Sequence, residues 1–450
     1  MASKAQILPT GEPFPLGRPR HREVDPGRAP RRAWVVVAAG MVVNLCLGCL
    51  YAWSVWVKAL TNPEVMRASG WAPFTAEQAS NPASLCIAVF ALLMIPGGRL
   101  QDRLGPRIAA SLGGVAIGAG LLLAGFLKSY LGILVGFGLL GGIGMGLGYA
   151  APTPAALKWF GPQKRGLIAG LVVGGYGLAA FYVAPLATWL MSRYGISASF
   201  YVLGAAYLIV ILAASQFLAW PEPGYVPPGA PIAAAKQTAG EQAEVNWTAR
   251  QMISSWQFYV LVLLFAINTQ AGLLLVGHAA KMIGSVMSAG YLLVAWGAIC
   301  NSSGRVGTGV ISDRVGRKNT LILNLLVGAV IMFTLPSLFA LKNVPLLFLA
   351  AGVGFWCYGG GLTLFPSFTA DFYGPKNLGL NYGLVFLGWG LGSFMPKLAG
   401  RIYDIYHSYD YAFYTAGVLL LLGLFLAAMA QHPKRVPARA PVAEPSAAPA

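Results

Sequence analysis

The decapeptide GRLQDRLGPR at residues 98–107 recurs as GVISDRVGRK at residues 309–318. The two aspartates of this repeat, Asp102 and Asp313, are 211 residues apart. A second repeat, FGP at residues 160–162 and YGP at residues 373–375, has its glycines 213 residues apart. Two motifs repeated at nearly the same offset indicate that one unit has been duplicated within the chain.

The duplicated unit consists of apolar stretches. The chain has 450 residues, 57% hydrophobic and 10% charged, whereas about a quarter of the residues of a soluble protein are charged. A membrane-spanning helix needs about 20 apolar residues. Twelve stretches are predicted spans: 34–57, 83–101, 108–127, 131–157, 167–191, 198–220, 254–280, 287–311, 319–340, 345–369, 379–402 and 411–430. An all-α membrane protein is therefore predicted, and a soluble enzyme, a disordered chain and a coiled coil are not.

The predicted organisation follows from the polar breaks between these spans. It comprises a basic N-terminal tail (1–33), an N-terminal six-helix bundle (34–220), a Pro- and Ala-rich linker (221–253), a C-terminal six-helix bundle (254–430) and a C-terminal tail (431–450). The first 33 residues lack the apolar segment of a secretory signal peptide, so the first span is expected to remain in the protein.

The net charge of +17 suggests either nucleic acid as a partner or a biased membrane topology. If both termini lie on one side, that side carries 22 Lys and Arg residues and the opposite side carries 7. Cytoplasmic loops are enriched in Lys and Arg. We therefore predict a protein of the plasma membrane (the cell inner membrane) with both termini on the cytoplasmic side. Because topology explains the basic charge, no nucleic acid is expected as a partner.

Arg305 is the strongest candidate functional residue. It lies in the eighth predicted span, about 12 Å along the helix from the repeated turn, while all 14 acidic residues fall outside the spans. An ionisable side chain inside a bilayer is a functional candidate, and a guanidinium binds a carboxylate through two parallel hydrogen bonds. We expect an anionic substrate as its counter-ion, with Asn301 one turn away orienting the guanidinium or donating to the substrate. The alternative is that Arg305 extends to the cytoplasmic surface.

Other candidates have simpler explanations beside the functional one. Lys397 is close to the outer end of its span and is expected to extend to the surface. His278 is the candidate for proton coupling, although a structural role is the simpler explanation. Glycine-flanked aromatic residues form either a cage around a small ligand or ordinary helix packing: Tyr51, Tyr149, Tyr176, Tyr358 and Trp389. The five cysteines lie within spans without metal-site spacing, so no metal and no cofactor is expected.

The doubled turn resembles the hallmark motif of the major facilitator superfamily, and the resemblance covers the chain except its tails. It implies twelve transmembrane helices in two pseudo-symmetric six-helix bundles that rock around a central cavity. The motif would then act as a cytoplasmic latch in which a carboxylate faces the positive end of a helix of the other half. The latch candidates are Asp102, Arg103, Arg107, Asp313, Arg314 and Arg317. The alternative is that these residues only form positively charged, tight turns.

Several segments resemble the oxalate/formate antiporter and monocarboxylate transporter group. They are YAWSVW (51–56), KWFGPQKRGLIAGLVVGGYG (158–177), LFPS (364–367), NYG (381–383) and the pair Asn301 and Arg305. The resemblance implies that Arg305 binds the substrate carboxylate and that the four tyrosines named above line the pocket. Oxalate antiporters of this group carry a lysine where this chain has Trp389, and animal proton-coupled carriers carry an acid where it has Asn301.

These departures bear on the substrate. One buried cation neutralises one carboxylate, and a dianion would keep an uncompensated charge in a dry cavity. The sequence therefore predicts a secondary transporter of a small monocarboxylate of the lactate or pyruvate type, with proton symport favoured over anion exchange. An oxalate/formate-type organic anion antiporter and a nutrient sensor that binds without transporting remain as alternatives. The expected partners are the substrate, a proton or a counter-transported anion, and the lipid bilayer. The expected state is a monomer, and no enzyme signature is present.

Overall fold

The computed structural model describes residues 29–228, 246–284 and 290–433, and leaves out the side chains of residues 76 and 278–291. Most of both predicted tails and the middle of the predicted linker lie outside the described residues. All regular elements within the described ranges are helical.

The N-terminal half contains six membrane crossings. Its helices are α1 (Arg31–Leu47), α2 (Trp53–Leu60), α3 (Pro63–Ala68), α4 (Ala76–Leu104), α5 (Pro106–Leu127), α6 (Tyr130–Ile133), α7 (Gly142–Tyr149), α8 (Pro152–Leu157), α9 (Arg165–Tyr194) and α10 (Ile196–Ser215). A 3₁₀ segment, Gly48–Ala52, joins α1 to α2 within the first crossing. A π-helical segment, Leu134–Gly141, joins α6 to α7 within the fourth. The short 3₁₀ helix Pro162–Lys164 leads into α9.

The C-terminal half also contains six crossings. Its helices are α11 (Ala249–Ile253), α12 (Trp256–Gly284), α13 (Gly290–Val315), α14 (Arg317–Ala340), α15 (Val344–Tyr373), α16 (Leu378–Val385), α17 (Leu387–Gly392), α18 (Phe394–Tyr406) and α19 (Asp410–Met429). The helices α16, α17 and α18 follow one another almost without a break and together form the eleventh crossing, 378–406.

The predicted twelve-helix membrane architecture is confirmed. Eleven stretches of the described residues are long and apolar enough to cross a bilayer. The one remaining crossing, the eighth along the chain, is α13, which is 26 residues long and corresponds to the predicted eighth span. This helix is the more polar one because it carries Asn301, Arg305 and several hydroxyl side chains in its middle.

Each copy of the repeated decapeptide ends a helix at a glycine. Gly105 follows α4 and Gly316 follows α13, with φ angles of 94° and 93°. A side chain is disfavoured at a positive φ angle, so glycine is the residue that allows the chain to reverse here and start the next helix at once. The backbone N–H groups of both glycines donate to equivalent carbonyl oxygens, those of Gln101 and Ser312.

Glycines also bring the two halves together at two equivalent places. A Cβ atom on Gly98 of α4 would overlap the backbone of Gly379 in α16, and one on Gly309 of α13 would overlap the backbone of Gly166 in α9. The helices therefore meet backbone to backbone, as small residues permit inside a membrane. We call the end of the molecule at which this occurs the latch face, formed by residues 101–107, 158–167, 312–318 and 371–380.

The last residues of the predicted linker pack on the C-terminal half. Trp247 is buried, and its backbone N–H donates to the Tyr373 carbonyl oxygen. Its own carbonyl oxygen accepts from the side-chain amides of Asn377 and Asn381, at 3.0 and 3.1 Å. Trp247, at the end of the predicted linker, thus packs with the C-terminal half. Composition alone could not predict this packing of Trp247, because the residues that it contacts lie more than a hundred positions further along the chain.

Candidate functional site

Arg305 is completely buried in the middle of α13, between the two halves of the molecule. Its Nε donates to Oδ1 of Asn301, one turn earlier on the same helix, at 3.0 Å. Its Nη1 donates to the carbonyl oxygen of Val173 in α9, at 2.6 Å. The guanidinium therefore has one partner from each half. It does not extend to the surface, which was the alternative expectation.

The rest of the guanidinium environment is aromatic and uncharged. The guanidinium carbon lies 5.9 Å from the centre of the Tyr176 ring, a distance at which a ring face attracts a cation. The Nη2 atom is buried and has no hydrogen-bond partner among the described residues. The ion pairs of the described residues involve Asp102, Glu222, Asp313 and Asp371, and Arg305 takes part in none of them. The buried cation thus has an unused donor and, among the residues that the structure describes, no carboxylate paired with it.

A small cavity lies beside Arg305, with four lining residues from each half. The lining residues are Tyr51, Phe90, Tyr149, Tyr176, Arg305, Leu362, Phe386 and Trp389. Five of these were candidates from the sequence, and the structure brings them together. Phe90, Leu362 and Phe386 were missed, because an apolar residue in an apolar helix does not differ from its lipid-facing or core neighbours.

Tyr358 lies behind the cavity wall and links the aromatic residues of the two halves. Its hydroxyl is 2.7 Å from the Tyr51 hydroxyl, across the interface between the halves. The Trp389 Nε1–H donates to the same Tyr358 oxygen at 3.1 Å. The indole of Trp389 is thereby held in place at the cavity wall.

A second small cavity lies next to the first, on the side away from the latch face. Its lining includes Asn301, Gly177, Ser54 and Phe355, and Tyr51 lines both cavities. Residues from both halves line it. We call it the outer cavity; its lining residues on α9 and α13 lie further from the latch face along each helix than Val173 and Arg305 do.

At the latch face, the two repeat aspartates bind helix starts of the opposite half. The Asp102 carboxylate accepts from the backbone N–H groups of Gly379 and Leu380, at 3.2 and 2.8 Å. The Asp313 carboxylate accepts from those of Gly166 and Leu167, both at 2.8 Å. A helix N-terminus presents free N–H groups and a positive dipole end to an anion. Both halves therefore make the same contact with each other.

Among the described residues, an ion pair across the interface reinforces only the Asp313 contact. Asp371 of the C-terminal half accepts from Arg165 Nη1 of the N-terminal half at 2.8 Å and from Arg317 Nε at 3.1 Å. Arg317 also donates to Asp313 at 2.6 Å and to the Pro162 carbonyl oxygen at 3.0 Å. Arg165 and Asp371 were not among the sequence candidates, because their pairing depends on how the halves dock.

The pseudo-equivalent of Asp371 in the first repeat is Lys158, which pairs within its own half. Its Nζ is 3.8 Å from Oδ1 of Asp102 and 4.7 Å from the ring centre of Trp220. Burial lowers the pKa of the Lys158 ammonium below its usual value, and the nearby Asp102 carboxylate opposes that shift. The two repeats therefore carry opposite charges at equivalent positions.

The remaining candidates lie outside both sites or outside the described side chains. Arg103 and Arg314 are exposed on the latch face, and Arg107 donates to the Leu218 carbonyl oxygen within its own half, at 2.9 Å. Lys397 is exposed on α18, away from the cavity lining. His278 falls within α12, but its side chain lies outside the described residues.

No group of three or more potential metal ligands occurs among the described residues. All five cysteines are free and buried. Cys86 contacts the thioether of Met145 at 3.6 Å, which is a packing contact.

Comparison with known proteins agrees with this architecture. The family model described as Major Facilitator Superfamily matches residues 44–393 and 282–449. The apicoplast pyruvate carrier 1 of Toxoplasma gondii is 26% identical over 501 aligned positions, covering 91% of this chain and 90% of the relative. The oxalate:formate antiporter of Oxalobacter formigenes is 28% identical over 382 positions, covering 82% and 85%.

Among solved structures, the proton:xylose symporter XylE superposes with a TM-score of 0.69 at 14% identity, covering 89% of this chain and 96% of that one. At this identity the likeness concerns the fold alone. The family match spans well over half of the sequence, and the duplicated six-helix architecture agrees with it. The chain therefore belongs to the major facilitator superfamily and is a multi-pass membrane transporter, not an enzyme.

Proposed function

We propose that this transporter carries a small monocarboxylate of the lactate or pyruvate type by alternating access, with proton symport. The observation that carries the proposal is Arg305, a fully buried cation with a free Nη2 donor and no carboxylate partner among the described residues. A buried cation is costly without an anion, and a substrate carboxylate would supply one in the geometry that guanidinium prefers. The pyruvate carrier among the relatives is consistent with this chemistry.

The aromatic lining favours one carboxylate over two. Apart from Arg305, the cavity lining consists of Leu362 and aromatic side chains. A second carboxylate would therefore face rings and no cation, at a cost of several kcal/mol. A short alkyl or keto chain, in contrast, loses little when it leaves water for this surface.

The test is uptake of labelled lactate and pyruvate into proteoliposomes. We expect saturable uptake in the natural protein and none in Arg305→Ala, while Lys397→Ala, which removes an exposed cation outside the cavity, keeps the natural rate. An inward proton gradient should stimulate uptake. Absence of saturable monocarboxylate uptake, or undiminished uptake by Arg305→Ala, would contradict the proposal.

An oxalate/formate-type antiporter is the second candidate, and the relative from Oxalobacter formigenes favours it. An antiporter of this type predicts oxalate counterflow that requires an anion on the opposite side of the membrane and does not respond to a proton gradient. The third candidate, a sensor, predicts that substrate raises the thermal midpoint without any measurable transport.

Proton coupling through His278 is tested by the substitution His278→Gln. This variant should lose the stimulation of uptake by a pH gradient and keep substrate exchange.

We further propose that the latch face is cytoplasmic, with both chain termini on that side of the plasma membrane, and that one chain suffices for transport. The excess of Lys and Arg residues on that side supports the orientation. The aspartate–helix contacts and the Arg165–Asp371 pair would then hold the cytoplasmic side closed while the outer cavity admits substrate. Impermeant labelling of cysteines introduced at residues 103 and 342 from either side tests the orientation.

A further inference from the structure

Gly177 of α9 lies directly against the Arg305 side chain. A Cβ atom at this position would be 2.9 Å from Nε of Arg305, 3.2 Å from Cζ and 3.4 Å from Cδ. Gly177 also lines the outer cavity, as does Asn301, the partner of Nε. The missing side chain at position 177 thus leaves room for the guanidinium next to the outer cavity.

The guanidinium cannot move away from this place without losing a hydrogen bond. It is held by Asn301 at 3.0 Å on one side and by the Val173 carbonyl oxygen at 2.6 Å on the other. Val173 precedes Gly177 by one helical turn, so α9 supplies both an acceptor and the space beside it. Because Arg305 is fully buried in this conformation, loss of either partner would leave a further guanidinium donor unsatisfied.

We propose that Gly177 is a positioning residue that sets the orientation of the Arg305 guanidinium and hence the affinity for carboxylate substrates. This inference rests on the proposed monocarboxylate transport. With alanine at position 177 the positive charge stays in the site, but the guanidinium plane is tilted so that its N–H groups no longer point at the substrate carboxylate. The change therefore weakens binding of the substrate more than it slows the movement of the two halves.

Gly174, three residues earlier on the same helix, provides a matched control. A Cβ atom there would come no closer than 3.6 Å to Ser302 Oγ and 3.7 Å to Val306 Cγ2, which are ordinary contacts. Gly174→Ala therefore makes the same chemical change in the same helix without touching the guanidinium.

The experiment compares KM and maximal rate of lactate or pyruvate uptake for the two alanine variants in proteoliposomes. We expect Gly177→Ala to raise KM about tenfold, the effect of weakening one hydrogen bond of a charged group, with a maximal rate within about twofold of the natural protein. Gly174→Ala should leave both constants unchanged. An unchanged KM in Gly177→Ala, or an equal rise in Gly174→Ala, would overturn the inference while leaving the proposed transport intact.

A second measurement needs no substrate and covers the case in which Gly177→Ala fails to assemble. If the added methyl group acts through Arg305, the double variant Gly177→Ala/Arg305→Ala should recover the thermal midpoint and monodispersity of Arg305→Ala alone. Two changes that share a contact are non-additive in this way. A double variant as impaired as Gly177→Ala would show that the methyl group acts elsewhere and would refute the positioning role.

Discussion

Asp371 forms the ion pair that joins the two halves at the latch face, and Asp371→Asn should open that face. The aspartate accepts from Arg165 across the interface at 2.8 Å and from Arg317 within its own half at 3.1 Å. Only the first bond is lost when the halves separate. Asparagine would also leave two arginines, one from each half, facing each other without a carboxylate between them.

The magnitude follows from the geometry of that one bond. The Arg165 and Asp371 side chains are 11% and 19% exposed, so solvent screens the pair only in part. A hydrogen bond between charged groups of this kind contributes about 1.5–3 kcal/mol. Since 1.4 kcal/mol corresponds to a factor of about ten, Asp371→Asn should shift the ratio of closed to open latch face about ten- to a hundredfold toward open.

The assay is the distance between spin labels on the two halves, measured by pulsed electron paramagnetic resonance. Cysteines at positions 103 and 314 suit the labels because both side chains are exposed on the latch face, one in each half. The five natural cysteines are buried, so the introduced ones should react selectively. The matched control is Lys158→Gln at the pseudo-equivalent position, where the ion pair stays within one half.

We expect a longer-distance population in Asp371→Asn and a distribution close to that of the natural protein in Lys158→Gln. Either of two results would refute the reasoning. The first is an unchanged distribution in Asp371→Asn, which would mean that the cross-interface bond does not stabilise the closed latch face. The second is an equal shift in Lys158→Gln, which would mean that any loss of charge there has the same effect.

Three further predictions concern other contacts. Gly98→Ala should lengthen the same label distance, because its Cβ atom would overlap the Gly379 backbone, whereas Gly400→Ala, with open space around it, should leave the distance unchanged. Trp389→Lys should raise oxalate counterflow relative to lactate uptake by at least about tenfold, since it adds a second cation to the cavity; an unchanged ratio would contradict the one-cation argument. Asn324→Ala should lower the free energy of unfolding by about 1–3 kcal/mol, read as a lower thermal midpoint in detergent, because Asn324 binds Asn268 and the Cys357 carbonyl oxygen in a buried site. An unaltered midpoint would show that this amide pair contributes no net stability.

The sequence predicted Arg305, Asn301 and most of the aromatic lining of the candidate site, but not its three purely apolar residues. Arg305 and Asn301 stand out because a charged or amide side chain is costly inside a membrane helix. Glycine-flanked aromatics such as Tyr176 gave a weaker signal, and the structure places most of them at the cavity. Phe90 and Phe386 carried no signal, since a lipid-facing phenylalanine and a cavity-facing one look the same in sequence.

The contacts at the latch face could also be predicted from the sequence only in part. The repeated aspartates were predicted to face helix starts of the opposite half, and Asp102 and Asp313 lie at such helix starts in the structure. Arg103 and Arg314 share the motif but are exposed, because adjacent residues on a helix point in different directions. Arg165 and Asp371 could not be paired from the sequence, since 206 residues separate them.

The sequence by itself determined the membrane, the number of crossings, the duplication and the cation in the middle of the eighth span, Arg305. These features can be read from length, hydropathy and spacing along one chain. Each spanning segment must form its own helix because the bilayer core offers its backbone no other hydrogen-bond partners. The tertiary structure alone decided which side chains share the cavity, that Gly177 lies against Arg305, and that the two repeats bind each other unequally at the latch face. Those features depend on the docking of two halves, where contacts join residues that no local periodicity connects.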